Sequence, residues 1–535
     1  MRLYVQHQRF GYGKLKGEKA LVLVLDGWND FSFRTQYDLY AINGASIDSI
    51  GVVKILKRGQ KAGEIALPVG RVEGDRLADD LVSVGNSVDY YLALMRLGLL
   101  EDVTAKLNDL VANPSLRPTF ADEEGYGTSL HRYRPDPADY YHEVERTIAS
   151  GGPPPDDTGF SFAFRPGHHS EALTFAFGQP EQGPTGQRVG PSRRTVVVAG
   201  PNGVGKTDLL ARIARVAYAP PAERKLLADD GVIVGEPAFP NIVAVSYSAF
   251  DHFLPPDLAG DDAEALAEQL RQGTGRYNYC GMRDLAKVLT SRPGGRPKLL
   301  GDRELEKGFA DRLRQIQQRG RRPLLGKAMR PILAEQSFAR LLPPAPADDE
   351  LTDAEYDELR LSAFLGEHPR RTFRKLSSGH KIIVHQLAGL TATLQRHGLA
   401  LIDEPETHLH PPLLAALMTA IRVLLDDRKA YAIVATHSPV VAQETLASQV
   451  MLLTGGDAVI ASAPAIETYG ENVGTLTREI FGFHPGAGDY RNVLDRMVRR
   501  YQTLEGVEEA MGGQLSSQAT AHVVAALARF EEDGG

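Results

Sequence analysis

The chain has 535 residues, 42% hydrophobic and 24% charged, with a formal net charge of −8. That length supports a large core and more than one domain, and the composition is that of an ordinary globular protein. No uninterrupted run of 18 apolar residues occurs, so no membrane span is expected, and a single cysteine, Cys280, excludes an internal disulfide framework.

The N-terminal stretch MRLYVQHQRFGYGKLKGEKA lacks the apolar core of a signal peptide, and with the lone thiol this points to a reducing cytoplasm. The first 60 residues predict strands at RLYVQH, KALVLVLD, RTQYDLYAIN and IGVVKIL, separated by Gly and Asn-Asp turns. Residues 79–111 predict helix, from apolar spacing through Leu81, Val84, Val88, Tyr91 and Leu94. The span 113–158 is acidic and rich in Pro and Gly, with one short helix near 139–149. Strands resume at FSFAFRP and ALTFAFG, and a polar Gly/Pro connection over 179–192 leads to RTVVVAG.

There the chain carries its strongest signal, TVVVAGPNGVGKTDLLARIARVA. An apolar strand runs into Gly200-x4-Gly205-Lys206-Thr207 and then a helix. The glycines let backbone N–H groups turn around an oxyanion, and the helix N-terminus adds partial positive charge. Lys206 is placed for the β- and γ-phosphates and the Thr207 hydroxyl for Mg²⁺. The candidate ATP contacts are Gly200, Asn202, Gly203, Gly205, Lys206, Thr207 and Asp208.

Residues 255–365 predict a charged helical segment broken by Pro and Gly. Between Arg271 and Arg330 stand 16 Lys/Arg against 5 Asp/Glu, a net of +11 that leaves −19 on the remainder. Such a segment is either a footprint for phosphates or an acidic partner, or a solvated helical face. Cys280 lies within it in no recognisable catalytic context. The interval from phosphate loop to signature, about 170 residues, holds no sustained heptads, so a compact arm is expected rather than a long coiled coil.

FRKLSSGHK follows at 373–381. Ser377, the Gly379 N–H and the N-terminus of the helix HKIIVHQLAGLTATLQ form a second anion grip. In a strand–helix sheet that helix should stand away from its own phosphate loop, so it grips a nucleotide held by a second copy, giving a two-fold dimer with two sandwiched nucleotides. LALIDEPETHLHPPL then reads as a buried strand ending in Asp403-Glu404: Asp403 for Mg²⁺, Glu404 to accept a proton from the attacking water. Glu406, His408 and His410 raise a weaker alternative, a metal site, against plain polar loop residues. YAIVATHSPVV is a further strand, with His437 at its end to sense the γ-phosphate. The catalytic candidates are thus Glu404, His437 and Lys206, and the metal ligands Thr207 and Asp403.

The order Gly200–Thr207, Ser377–Gly379, Asp403–Glu404, His437 resembles that of ABC-type ATPase heads, over about 195–250 and 370–455. LIDEPETHLHP and ATHSP are similar to the cytoplasmic branch, the RecF/SMC-like and overcoming-lysogenization-defect ATPases. LDGWNDFSFRTQYDLY, VSYSAFD, ENVGTLTREIFG and GGQL more weakly resemble the ATPases of anti-phage defence modules, closest to the Septu-type PtuA proteins and their retron-linked versions.

The resemblance implies an α/β ABC-ATPase head: a P-loop fold with a mixed sheet flanked by helices, an N-terminal antiparallel β region and helical insertions. Lys206 and Thr207 take the Walker A roles, Asp403 and Glu404 the Walker B roles, Ser377 and Gly379 the signature roles in trans, and His437 the switch. Ser378 and His380 replace the usual second signature glycine and the following Gln or Glu. SYSAFD lacks the usual metal-facing Gln, leaving Ser246, Ser248 or Asp251 to substitute, or nothing in its place. These departures imply slow or partner-gated hydrolysis.

The implied cofactors are ATP and Mg²⁺. The implied partners are a second copy in an ATP sandwich or a higher oligomer, a companion HNH nuclease, and nucleic acid (retron RNA or DNA, or phage DNA) along 271–330. The 98 residues after His437 show neither the acids of a fused TOPRIM nuclease nor an HNH-like cluster. The C-terminal helices YRNVLDRMVRRYQTL and SQATAHVVAALARF are amphipathic, with apolar faces for core packing or a docked partner.

The expected organisation is a β region over 1–78, a helical and loop insertion over 79–158, an ATPase lobe with the phosphate loop over 159–254, a basic helical arm over 255–365, a lobe with signature, acid pair and switch over 366–460, and a helical region over 461–535. The competing readings are an ATP-gated regulator of a defence nuclease, a DNA-repair ATPase that binds DNA directly, and a transporter motor. The third is weakest, because transporter heads are shorter and lack the N-terminal strands.

Overall fold

The computed structural model describes residues 1–6, 18–26, 33–44, 46–134, 136–152, 159–167, 171–178, 181–182, 188–189, 192–235, 237, 239–256, 263–290, 298–344, 351–454, 460–481 and 490–533. The residues of GWNDFS, and of SRPGGRP in the basic segment, lie outside these. Contacts divide the chain into two compact units, Met1–Val473 and Gly474–Gly535.

The first unit opens with a six-stranded sheet: β1 (Arg2–Gln6), β2 (Lys19–Leu25), β3 (Gln36–Asn43), β4 (Ser46–Lys57), β5 (Gly70–Arg71) and β6 (Leu81–Gly85), in the order β5-β1-β2-β3-β4-β6. The sheet is mixed, which corrects the antiparallel expectation. β1 runs parallel to β2, Arg2 facing Ala20 and Gln6 facing Val24, while the other neighbours are antiparallel. Twelve residues separate the two strands, about the length a parallel crossover needs. The helix expected from residue 79 is also corrected. LVSVG is a fully buried strand on β4, and helix begins only at Val88 (Val88–Arg96). Leu81, Val84 and Val88 fit a helical period by coincidence, since they straddle a strand and the helix behind it.

β7 (Phe160–Arg165) and β8 (Leu173–Phe177) pair with β12 (Val232–Val234) in a small sheet, and Glu181–Gln182 and Arg188–Val189 form a two-stranded ribbon, β9 and β10. The central sheet comprises β11 (Thr195–Ala199), β13 (Ile242–Ser246), β14 (Tyr277–Gly281), β15 (Leu399–Asp403), β16 (Tyr431–Thr436), β17 (Val450–Thr454) and β18 (Ile460–Ser462), in the order β14-β13-β15-β16-β11-β17-β18. All its pairs are parallel except β17–β18. β11, β13, β14, β15 and β16 are buried throughout, as strands covered on both faces must be. β14 corrects the reading of 255–365 as wholly helical: YNYCG is an edge strand of this sheet, with Cys280 inside it.

Period-two alternation separates the two faces of the sheet. Val196, Val198, Ala244, Leu401, Ile433, Tyr277 and Tyr279 share a core with the phosphate-loop helix, Lys206–Tyr218. Cys280 belongs to the other face. There a Cβ on Gly389, in the helix Ser378–Thr393, would stand 2.3 Å from the Cys280 Sγ. The helix that follows the signature turn therefore covers the face opposite the phosphate-loop helix.

Several arginines of the basic segment are committed inside the fold, while others such as Arg271 and Arg314 are exposed. Arg319 donates to the Ala392 and Gly273 carbonyls, and Arg321 to those of Thr391, Ala392 and Leu394 and to Asp89. Arg322 holds Glu358, Arg283 holds Asp251, and Arg330 holds Asp353 and Asp357. Arg276 donates to the carbonyls of Phe239, Tyr218 and Ala217. The excess charge read from the sequence is in good part scaffolding for β14 and the helices Asp302–Gln318 and Arg322–Ala334.

The second unit is helical, with Tyr490–Tyr501, Leu504–Ala510 and Ser517–Asp533 around Leu494, Val498, Val507 and Val523. Among the described residues no helix is long and apolar enough to cross a membrane.

Candidate nucleotide site

The phosphate loop leaves the C-terminal end of β11. A Cβ on Gly200 would stand 2.5 Å from the Leu453 carbonyl oxygen, so only glycine fits against β17. Gly205 caps the helix Lys206–Tyr218 with φ of 87°, a left-handed conformation costly to residues with a Cβ. Asn202 and Gly203 are exposed on the outside of the turn. Lys206 is buried, and its Nζ donates to the Gly200 (2.8 Å) and Pro201 (2.9 Å) carbonyls of its own loop. Burial lowers its pKa, against the opposing pull of Glu404, Glu406 and Asp403. Asp208 faces away, in an ion pair with Arg212 one helical turn on (2.6 Å).

β15 delivers the acid pair between β13 and β16. The Thr207 Oγ1 lies 2.9 and 3.1 Å from the two Asp403 carboxylate oxygens, so residues 196 positions apart meet at one point. Burial raises the Asp403 carboxyl to about 7, while the Thr207 hydrogen bond pulls it down. Glu404 stands at φ 46°, and its N–H donates to the Ala435 carbonyl (2.9 Å). That left-handed turn swings its side chain off the strand line, where it is one-third exposed.

His437, at the end of β16, lies between two carboxylates, its Nδ1 3.5 Å from Glu404 and 3.2 Å from Glu406. The sequence reading placed Glu406 only in a weak metal alternative. In the structure its Oε1 accepts the Thr436 hydroxyl (2.7 Å) and the His437 N–H (2.8 Å), fixing the switch segment on the acid loop. Its Oε2 is buried without a partner. Its spacing in DEPETH, two residues beyond Glu404, was the available signal. Among the described residues no group of three His, Cys, Asp or Glu is arranged to hold a metal, so the Glu406–His408–His410 alternative finds no such cluster.

The candidates to replace the missing Gln separate. Ser246 ends β13 directly beside Asp403 in register, and its hydroxyl accepts the Ser248 N–H. Asp251 is buried, accepts from the Tyr279 hydroxyl (2.7 Å) and pairs with Arg283 (3.1 Å), and its charge acts on the Asp403 carboxyl.

At the signature turn Ser377 is exposed and caps the helix Ser378–Thr393, its Oγ accepting the His380 N–H at 3.4 Å. Gly379 is buried; a Cβ there would lie 2.7 Å from the His408 carbonyl oxygen, so packing against the acid loop demands glycine. His380 turns away to the Ser337 hydroxyl (2.9 Å) and the Phe338 ring (4.2 Å between centroids).

A family model described as "AAA domain, putative AbiEii toxin, Type IV TA system" matches residues 283–442, which include the signature turn, the acid pair and His437. The chain carries an ATP-binding P-loop ATPase domain. The ATPase is also 29% identical over 542 residues to "Protein ea59" of Escherichia phage lambda, a match covering 98% of each chain.

The state of Asp403 sets a pH dependence. An unfolded aspartate titrates near 3.9. Between about 4 and about 7 the folded ATPase keeps a proton that the unfolded chain has released, so stability from this group falls as pH rises through that window. Asp403→Asn should remove the fall. At about 1.4 kcal/mol per unit, the variant gains up to about 4 kcal/mol over wild type at pH 8 and converges with it near pH 4. Urea melts at the two pH values, without nucleotide, check this. Parallel curves for the two proteins would refute it.

Proposed function

We propose that the protein is an ABC-type ATPase that dimerises around ATP and regulates a separate effector nuclease, of HNH type, in anti-phage defence. The observation that carries the ATPase part is the Thr207–Asp403 contact, with Glu404 and His437 at the ends of neighbouring strands. A hydroxyl held on a buried carboxylate is the all-oxygen donor set a small hard cation prefers, so Thr207 and Asp403 fit Mg²⁺. When bound, that ion would neutralise charge on the β- and γ-phosphates. Lys206 would leave its own loop carbonyls for the phosphate oxygens, and Glu404 would take the proton of the attacking water.

The dimer part is supported by the exposure of Ser377 and by the placement of its helix on the face opposite the phosphate-loop helix. The defence part rests on the motif resemblance and on the toxin named in the matching family model. Direct nucleic-acid binding through Arg319, Arg321 and Arg322 is disfavoured, since all three are held by carbonyls or carboxylates of the fold.

Light scattering with and without ATP tests the sandwich. Wild type should gain mass with ATP, and Lys206→Ala, with its phosphate grip removed, should not. Equal masses for both proteins with ATP would overturn the reading.

A further inference from the structure

A groove of about 540 Å³ lies beside the signature turn, lined by Asp302, Arg303, Glu306, Arg370, Phe373, Arg374 and Lys381. It is a built feature. Phe373 stacks on Phe309 (4.9 Å between centroids) and pins the short helix Pro369–Lys375 to the helix Asp302–Gln318. Lys381, in the first turns of the signature helix, pairs with Asp302 (3.1 Å). One carboxylate then organises two guanidinium groups: Glu306 accepts from the Arg370 Nε (2.9 Å) and from the Arg374 Nε and Nη2 (3.0 and 3.1 Å). The Glu306 side chain is 4% exposed, yet the arginines are 60% and 69% exposed. Four cations against two acids line the groove, and Arg371 and Lys375 stand exposed next to it.

Cations held this way are aimed outward, unlike Arg319 and Arg321 of the arm. An arginine fork is suited to phosphate oxygens. The groove is lined by Lys381, in the first turns of a 16-residue helix, and by Arg374, three residues before Ser377 in sequence, so its positive field adds to that of the helix end. We propose that Arg370 and Arg374 form a second, trans-acting polyphosphate grip, which completes the signature turn around the triphosphate carried by the other copy. The inference rests on the ATP-sandwich reading. Glu306 is the placeholder that keeps both forks ready before the second copy arrives, and a phosphate displaces it.

The test measures ATP-dependent dimerisation by light scattering and analytical centrifugation, in a Glu404→Gln background that retains bound ATP. Arg370→Gln/Arg374→Gln/Glu306→Gln removes both cations together with their counter-charge. It should weaken the dimer at least tenfold and flatten its salt dependence, while fluorescent-ATP binding by the monomer stays as in the parent. Glu306→Gln alone should tighten the dimer, because the arginines are released. Arg374→Lys, which keeps the charge but loses the fork, should fall between parent and triple variant, and it guards against misfolding of the latter. Unchanged dimerisation in the triple variant and in Arg374→Lys would overturn the grip and leave the sandwich standing. Failure of the Glu404→Gln parent itself to dimerise with ATP would overturn both.

Discussion

Glu404→Gln should slow ATP hydrolysis by about 10²–10⁴-fold while leaving ATP bound. Asp403 and Glu404 are adjacent in sequence but differ in setting. Asp403 is 3% exposed and fastened to Thr207. Glu404 is one-third exposed, displaced by its left-handed backbone, with the half-exposed His437 ring as its neighbour. A non-glycine residue in that conformation is strained by roughly 1 kcal/mol. The strain persists because the Glu404 N–H is tied to the Ala435 carbonyl, and it holds the carboxylate where solvent reaches it. Gln keeps the shape and cannot take a proton. Phosphate release at saturating ATP, set beside nucleotide retained on a desalting column, gives the answer. A variant that hydrolyses normally deprives Glu404 of the base role, and one that loses nucleotide makes the residue structural.

The sequence disclosed the site better than its surroundings, for a physical reason. A phosphate loop is local: glycines, a lysine and a hydroxyl at fixed offsets, between an apolar strand and a helix. The acid pair and His437 are local in the same way, each at the end of a buried strand of five or six residues built on an apolar run. Partnerships between distant residues leave no such trace. Nothing in GRYNYCGMRD signals that Tyr277–Gly281 joins the sheet, because two glycines and four polar residues dilute the apolar run. The sequence offers Asp251 as a metal-facing acid and shows nothing of the Arg283 and Tyr279 contacts it makes. Charge counting along 271–330 measures how many cations there are and not which of them have carbonyl or carboxylate partners. Arg370 and Arg374, outside the counted window, reach solvent, as do Arg271 and Arg314 within it.

Asp89→Ala should be the most destabilising single change in the first unit, at about 3–5 kcal/mol. Asp89 lies in the helix behind the N-terminal sheet, and its 15%-exposed carboxylate collects Arg428, Arg321 (3.2 Å) and the Arg396 N–H (3.1 Å). Those groups come from the end of the helix Pro411–Arg428, the N-cap of the arm helix Arg322–Ala334 and the turn before β15. One side chain thus joins the N-terminal sheet to arm and ATPase core. Burial alone would raise its pKa, but Arg428 and Arg321 hold the carboxyl well below the usual range. Its contribution is therefore complete above about pH 4 and is lost as pH falls below that. Alanine leaves two guanidinium groups buried without their counter-charge, and the Arg428 Nε already lacks a partner. Asp89→Asn, which keeps an acceptor but no charge, should cost less. Urea melts at pH 7 of Asp89→Ala, Arg321→Met and the double variant form a cycle in which the double loss falls well short of the sum. Additive losses would mean that Asp89 and Arg321 are independent, and the buried bridge would then not be what holds the arm to the sheet. The same bridge fixes what charge reversal at Arg321 would do: a glutamate there faces Asp89, and any loss of nucleic-acid binding in that variant would report a broken scaffold and not a missing phosphate contact.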